Sequence, residues 1–216
     1  MTAENIFIFI LFIFSIILHE CAHGFAAWKL GDNTAKNAGR ITLNPIHHID
    51  PFFTILLPVF LLLTSGFIFG GPKPVPVNKN NLRNPDRDMA IVAAVGPLTN
   101  FFLSALFFGL MLLFFPSDLS RFSPDRISGE IIFVSVFFNL CLVNMLLACF
   151  NLIPIPPLDG SRLLLFLLPR SLKPLLISIE KIGIFLLIIL LIFMPIEDII
   201  RPLVNLIQKL AFSLVN

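Results

Sequence analysis

The stretch Ile6-Phe7-Ile8-Phe9-Ile10-Leu11-Phe12-Ile13-Phe14-Ser15-Ile16-Ile17-Leu18-His19-Glu20-Cys21-Ala22-His23 decides what kind of chain this is. From Ile6 to Leu18 the only polar side chain is that of Ser15, and the apolar character resumes through Trp28. A helix needs about 20 such residues to cross a bilayer core of about 30 Å. The segment predicts a retained membrane span. Its leader, Met1-Thr2-Ala3-Glu4-Asn5, carries no Lys or Arg, and the run ends in His19-Glu20 instead of a small-residue cleavage site.

The rest of the chain agrees. Of 216 residues, 57% are hydrophobic and 13% charged, with 25 Phe and no Tyr, and the mean hydropathy is +0.95. Soluble domains carry about a quarter charged residues. This excludes a soluble enzyme, a disordered chain and a disulfide-stapled module. The formal charge of +2 and the lack of a basic run exclude nucleic acid as a partner. Cys21, Cys141 and Cys149 form no C-x-x-C pair and read as small buried hydrophobes.

Apolar runs at 6–28, 52–69, 89–115, 131–153 and 175–194, with a weaker one at 197–214, predict an all-α integral membrane protein. The expected architecture is a multi-pass helical bundle of about 4–6 spans, forming one domain over 1–216. Ten of the fifteen basic residues fall in three short loops: Lys29, Lys36 and Arg40; Lys73, Lys79, Arg83 and Arg87; Arg162, Arg170 and Lys173. Basic loops mark the cytoplasmic side, which puts the N-terminus outside. The 116–130 loop, with Arg121 and Arg126 against Asp118, Asp125 and Glu130, then faces out. The run 52–69 is basic on both flanks, holds Pro58 and exits through Gly66, Gly70, Gly71 and Pro72. A re-entrant or bent segment over 52–78 reconciles these features; an ordinary span that breaks the charge rule is the alternative. Pro72-Lys73-Pro74-Val75-Pro76-Val77-Asn78 cannot be a regular helix. It reads as an edge strand able to pair with an extended substrate, or as a stiff polyproline-like spacer.

The chemistry lies in His19-Glu20-Cys21-Ala22-His23, an H-E-x-x-H pattern. At about 100° per residue, His19 and His23 share one helix face and can bind one metal, while Glu20 reaches a water beside it. With so few His and Glu in the chain, a chance match has a probability on the order of 10⁻³. Ionisable groups in mid-span are costly unless paired, ligated or hydrated. A hydrogen-bonded polar patch between helices is the bland alternative. Zinc in a catalytic site takes three protein ligands and keeps one open position. The outstanding third candidate is Asp159 in Asn151-Leu152-Ile153-Pro154-Ile155-Pro156-Pro157-Leu158-Asp159-Gly160, where three prolines break the helix and Gly160 permits close backbone approach. Taken alone, Asp159 also reads as a helix cap. Depth supports the pairing, because His19 lies about 20 Å of helical rise beyond Ile6, near the cytoplasmic side at which Asp159 arrives.

With both motifs in place, the sequence resembles the site-2 protease family of intramembrane zinc metalloproteases. That family pairs H-E-x-x-H with N-x-x-P-x-x-x-L-D-G, matched here by Asn151, Pro154, Leu158, Asp159 and Gly160. Gly96-Pro97-Leu98-Thr99-Asn100 fits its G-P-x-x-N. The segments at 39–45, 48–51 and 73–78 resemble its compact prokaryotic branch, and neither a PDZ module nor a CBS pair is visible. The resemblance implies one zinc per chain held by His19, His23 and Asp159, with Glu20 as general base. It implies a substrate-carbonyl or oxyanion role for Asn151, whose other reading is a helix-terminal hydrogen bond, and an accessory role for Asn100. Asn100, Asn139 and Asn144 are expected to bond between helices, and His47 and His48 to be interfacial and not ligands. The expected reaction is peptide-bond hydrolysis in or near a transmembrane segment of a membrane-protein substrate, at the cytoplasmic face. A zinc-binding transporter or scaffold is the competing class, and Glu20 separates the two, since transport has no need of a non-ligand carboxylate there. Substrate identity and oligomeric state are not written in the sequence.

Overall fold

The computed structural model describes residues 3–65, 70–115, 132–193 and 196–215. Among these residues there are nine α-helices and no strand. In chain order they are α1 (Ala3–Lys29), α2 (Thr34–Asn37), α3 (Leu57–Ser65), α4 (Pro85–Phe114), α5 (Ile132–Asn151), α6 (Asp159–Leu167), α7 (Lys173–Glu180), α8 (Gly183–Phe193) and α9 (Ile196–Val215). Three are long and apolar enough to cross a bilayer: Ile6–Lys29, Pro85–Phe114 and Phe133–Asn151. Their outward residues are themselves apolar. Phe7, Phe9 and Phe14 on α1, Phe102 and Leu113 on α4, and Phe133 on α5 are all exposed, as a lipid-facing wall requires. The chain is an all-α membrane bundle.

One expected span takes another form. The run 175–194 is divided into α7, of eight residues, and α8, of eleven. α8 begins at Gly183, where a Cβ would collide with the carbonyl of Pro156, so only a glycine lets this helix start so close to the proline turn. The run 197–214 forms the continuous α9, which buries Ile207 and Ala211 with Phe138, Cys141 and Leu142 of α5 and Met111 of α4.

The run 52–78 divides into a helical and a non-helical part. Pro51–Leu56 is a π-helical turn that continues into the nine-residue α3, with Pro58 just past the junction, where it has no N–H to offer the preceding turn. Residues 70–78 are non-helical up to the 3₁₀ turn Lys79–Asn81. Positions 66–69 of this segment lie outside the described residues. So does the 116–130 loop on which part of the charge reading rests.

By internal contacts the chain forms two compact units. One comprises Met1–Phe12 and Pro97–Asn216. In it, Asn100 donates to Asn144 at 3.0 Å with both side chains fully buried, and Ser104 Oγ donates to the Cys141 carbonyl at 2.9 Å. These bonds tie α4 to α5 as expected for such asparagines. Asn139 does not join helices: its amide donates to Ser135 O one turn back on α5. Cys141 is buried, whereas Cys21 and Cys149 are only half-buried, and all three are free thiols.

The other unit is Ile13–Gly96. Its organising side chain is Asp32, fully buried just past the end of α1. The carboxylate accepts from Thr34 N, Thr34 Oγ1, Asn81 Nδ2 and Asn78 N. Burial pushes this carboxyl upward, but the bonds from Thr34, Asn81 and Asn78 outweigh it and hold Asp32 below the usual carboxylate range. The turn that delivers Asp32 needs Gly31, whose φ of 115° is left-handed.

Candidate metal centre

His19 and His23 sit one turn apart on α1, both buried. Their Nε2 atoms are 3.1 Å apart, and the rings meet edge to face. Two nitrogens bound at about 2.0–2.1 Å to one tetrahedral ion stand about 3.3 Å apart. The pair therefore fits a single cation of zinc's size. His23 Nδ1 lies 2.7 Å from the carbonyl oxygen of Val92, on α4. A proton on Nδ1 satisfies that carbonyl and leaves the Nε2 lone pair for a metal, the usual means of orienting a ligand histidine.

Gly96, one turn after Val92, makes room for these rings. A Cβ at this position would overlap the His23 ring and come within 2.7 Å of His19 Cε1. Next to it, Pro97 lies inside α4 and has no N–H for the carbonyl four residues earlier. The G-P step thus opens the helix wall where the imidazoles pack.

Glu20 is half-buried, and its Oε2 accepts a hydrogen bond from the backbone N–H of Val75 at 2.9 Å. Val75 belongs to the non-helical strap 73–78, which is fastened at both ends. At one end Lys73 O accepts from Arg40 Nη2 at 2.6 Å and Lys73 N donates to His48 O at 2.8 Å. At the other, Asn78 N donates to Asp32 at 2.6 Å. The strap is therefore not an edge strand: the Val75 donor that such pairing would use is spent on Glu20. His48 also differs from expectation. It is buried and bonds Thr42 O through Nε2, whereas His47 is exposed.

Asp159 belongs to the other unit, as the first residue of α6, half-buried and following the buried Leu158. Gly160 is there for close approach, because a Cβ on it would overlap the carbonyls of Leu152 and Ile153. The proline-rich turn can close this tightly only over a glycine. Asn151 ends α5, and its Nδ2 donates to Leu147 O at 2.9 Å, the helix-terminal bond weighed as its alternative role. One amide hydrogen is left for another acceptor. Asn100 is taken up by Asn144 within the bundle.

The motif reading of the sequence missed the parts of this centre that the backbone supplies. Nothing in the identities of Val92 or Val75 signals their contacts. Gly96 stands in the G-P-x-x-N match, but that match does not tell that the imidazoles fill the space beside it.

Comparison with known proteins agrees with this geometry. Residues 7–194 match the model of peptidase family M50. Relatives carrying the name "Putative zinc metalloprotease" include YwhC of Bacillus subtilis, 34% identical over 92% of this chain and 86% of its own length. Rip2 of Mycolicibacterium smegmatis is 31% identical over 68% of this chain, which spans about half (51%) of that relative. MJ0611 of Methanocaldococcus jannaschii is 31% identical over 74% of this chain and 72% of its own length. No solved structure matches. The chain belongs to peptidase family M50, the site-2 protease family.

Proposed function

We propose that this protein is an intramembrane zinc metalloendopeptidase that hydrolyses a peptide bond in or near a transmembrane segment of a membrane-protein substrate. The observation that carries the reading is the set on one helix. Two buried imidazoles have their Nε2 atoms 3.1 Å apart, and a carboxylate that is not needed as a ligand stands beside them, fixed by a backbone donor.

In this reading His19, His23 and Asp159 hold one zinc, and the whole chain acts as a single membrane domain. Zinc, when bound, supplies a Lewis acid that makes water a nucleophile near neutral pH and polarises a peptide carbonyl. Val75 engages Oε2 of Glu20, so Oε1 is the oxygen that takes the proton from water and returns it to the departing amine. The second amide hydrogen of Asn151 donates to the substrate carbonyl as negative charge develops on it. Asn100 acts as an accessory residue by pinning α4 to α5.

The bilayer surrounds the protein, with the N-terminus outside and the centre toward the cytoplasmic face. The exit of α1 supports this. Lys29 and Lys36 place their ammonium groups 4.7 and 4.3 Å from the Trp28 ring centroid, the mix of aromatic and basic groups typical of a cytoplasmic interface. The test is a proteomic comparison of cells carrying wild type or Glu20→Gln, together with metal analysis of both proteins. A peptidase leaves uncut membrane stubs only in the mutant, and both proteins hold zinc. Identical membrane proteomes would favour a transporter or scaffold.

A further inference from the structure

We propose that Val75 is a positioning residue for the peptidase reaction: its backbone N–H, presented by a strap fixed at both ends, holds the Glu20 carboxylate in its working orientation. This inference rests on the peptidase reading above and adds to it the group that aims the base.

Four observations in one unit carry it. The first is the bond itself, Val75 N to Glu20 Oε2 at 2.9 Å. The second is the double anchorage of the strap: Arg40 and His48 take both peptide groups of Lys73, and Asp32 takes the N–H of Asn78. Arg40 and Asp32 are buried, so these anchors are shielded from competing water. The third is packing. Val75 is itself buried, and a Cβ on Gly24, one turn beyond Glu20 on the same face of α1, would lie 3.1 Å from Val75 Cγ1. The absence of a side chain at Gly24 lets the strap lie directly against α1 beside Glu20.

The fourth is the placing of the prolines. Pro72, Pro74 and Pro76 alternate with Lys73 and Val75, the two residues whose N–H groups are used. A proline biases the residue before it toward an extended backbone, so Lys73 and Val75 are both held extended. The alternation fixes the shape of the strap and removes no donor that the fold needs.

A Glu side chain has three torsions, and a base acts well only when its oxygen is held within reach of the proton. One oxygen bound to a rigid peptide N–H restricts those torsions and leaves the other oxygen free to work. The bond acts on Glu20 alone, so its loss should lower kcat and leave zinc binding unchanged.

The experiment replaces the Val75 amide by an ester, through incorporation of the corresponding α-hydroxy acid. The side chain is kept and only the N–H is lost. The same exchange at Val77 is the control. We expect the Val75 ester to lower kcat by about tenfold or more, with KM within about twofold and zinc content at the wild-type level, and the Val77 ester to behave as wild type. A second readout needs no catalysis: amide exchange at Val75 should speed up by about tenfold in Glu20→Ala, while that of Leu82, bonded to Lys79 O, stays unchanged. If the Val75 ester cleaves at the wild-type rate, loses zinc or fails to fold, or if Val75 exchange ignores Glu20, the positioning role is overturned. If wild type cleaves nothing yet Val75 exchange responds to Glu20, the strap contact stands and the peptidase reading fails.

Discussion

The imidazole of His23 occupies the space in which a side chain at Gly96 would begin. An alanine there must displace one or both histidines, because the obstructing atoms are ring atoms held by the Val92 carbonyl. Gly→Ala inside a helix ordinarily stabilises it by about 1 kcal/mol. Gly96→Ala should therefore fold well and bind zinc at least about tenfold more weakly. Zinc titration of the purified variant checks this, and an affinity equal to wild type would mean that the rings do not need the space.

The proposed ligand set predicts one zinc per chain in wild type. Asp159→Ala should lose most of it, since two imidazoles alone leave a catalytic site one ligand short. His19→Ala and His23→Ala should do the same, while Glu20→Gln keeps its metal. Elemental analysis of the four proteins gives the answer, and full occupancy in Asp159→Ala removes that residue from the set.

Asp32 makes a prediction about pH. Its carboxyl lies below its ordinary value when folded. The stabilisation is therefore complete above the unfolded value of about 3.9 and is lost as pH falls through the lower folded value. Asp32→Asn removes acceptors from buried donors and should cost about 1–3 kcal/mol near neutral pH. Thermal unfolding from pH 7 down to 3 should show the lead of wild type shrinking at the acid end. A gap of constant size would trace the effect to packing and not to the ionised group.

The charge-based orientation places both flanks of the bent segment on one side. Lys36→Cys and Asn80→Cys, in a background without native cysteines, should both be labelled from the cytoplasmic face by an impermeant reagent. Labelling from opposite faces would mean that the chain crosses the bilayer between them.

The elements legible in the sequence are those whose cause is local. The apolar length of α1, α4 and α5 fixes them as spans. The four-residue spacing of His19 and His23 puts the rings together whatever surrounds them. Asn100 and Asn144 were readable as interhelical bonds because a buried amide must find a partner. What escaped depends on distant backbone atoms. The Val92 carbonyl reaches His23 across 69 positions and the Val75 amide reaches Glu20 across 55, and neither leaves a mark on side-chain identity. The division of 175–194 escaped as well, and so did the close approach of Gly183 to the Pro156 carbonyl at the start of α8. Hydropathy does not register a contact between two turns.

The strap also bears on what an extended segment can pair with. An extended segment with open donors along one side is a template on which other extended chains add, including other copies of itself. Here the amides of Lys73 and Val75 are consumed inside the fold, and positions 72, 74 and 76 have no N–H to offer. From Pro72 through Pro76 the strap has no spare donor with which to begin a ladder. A segment that must remain extended in order to aim a side chain is thereby kept from nucleating the association that extended segments invite.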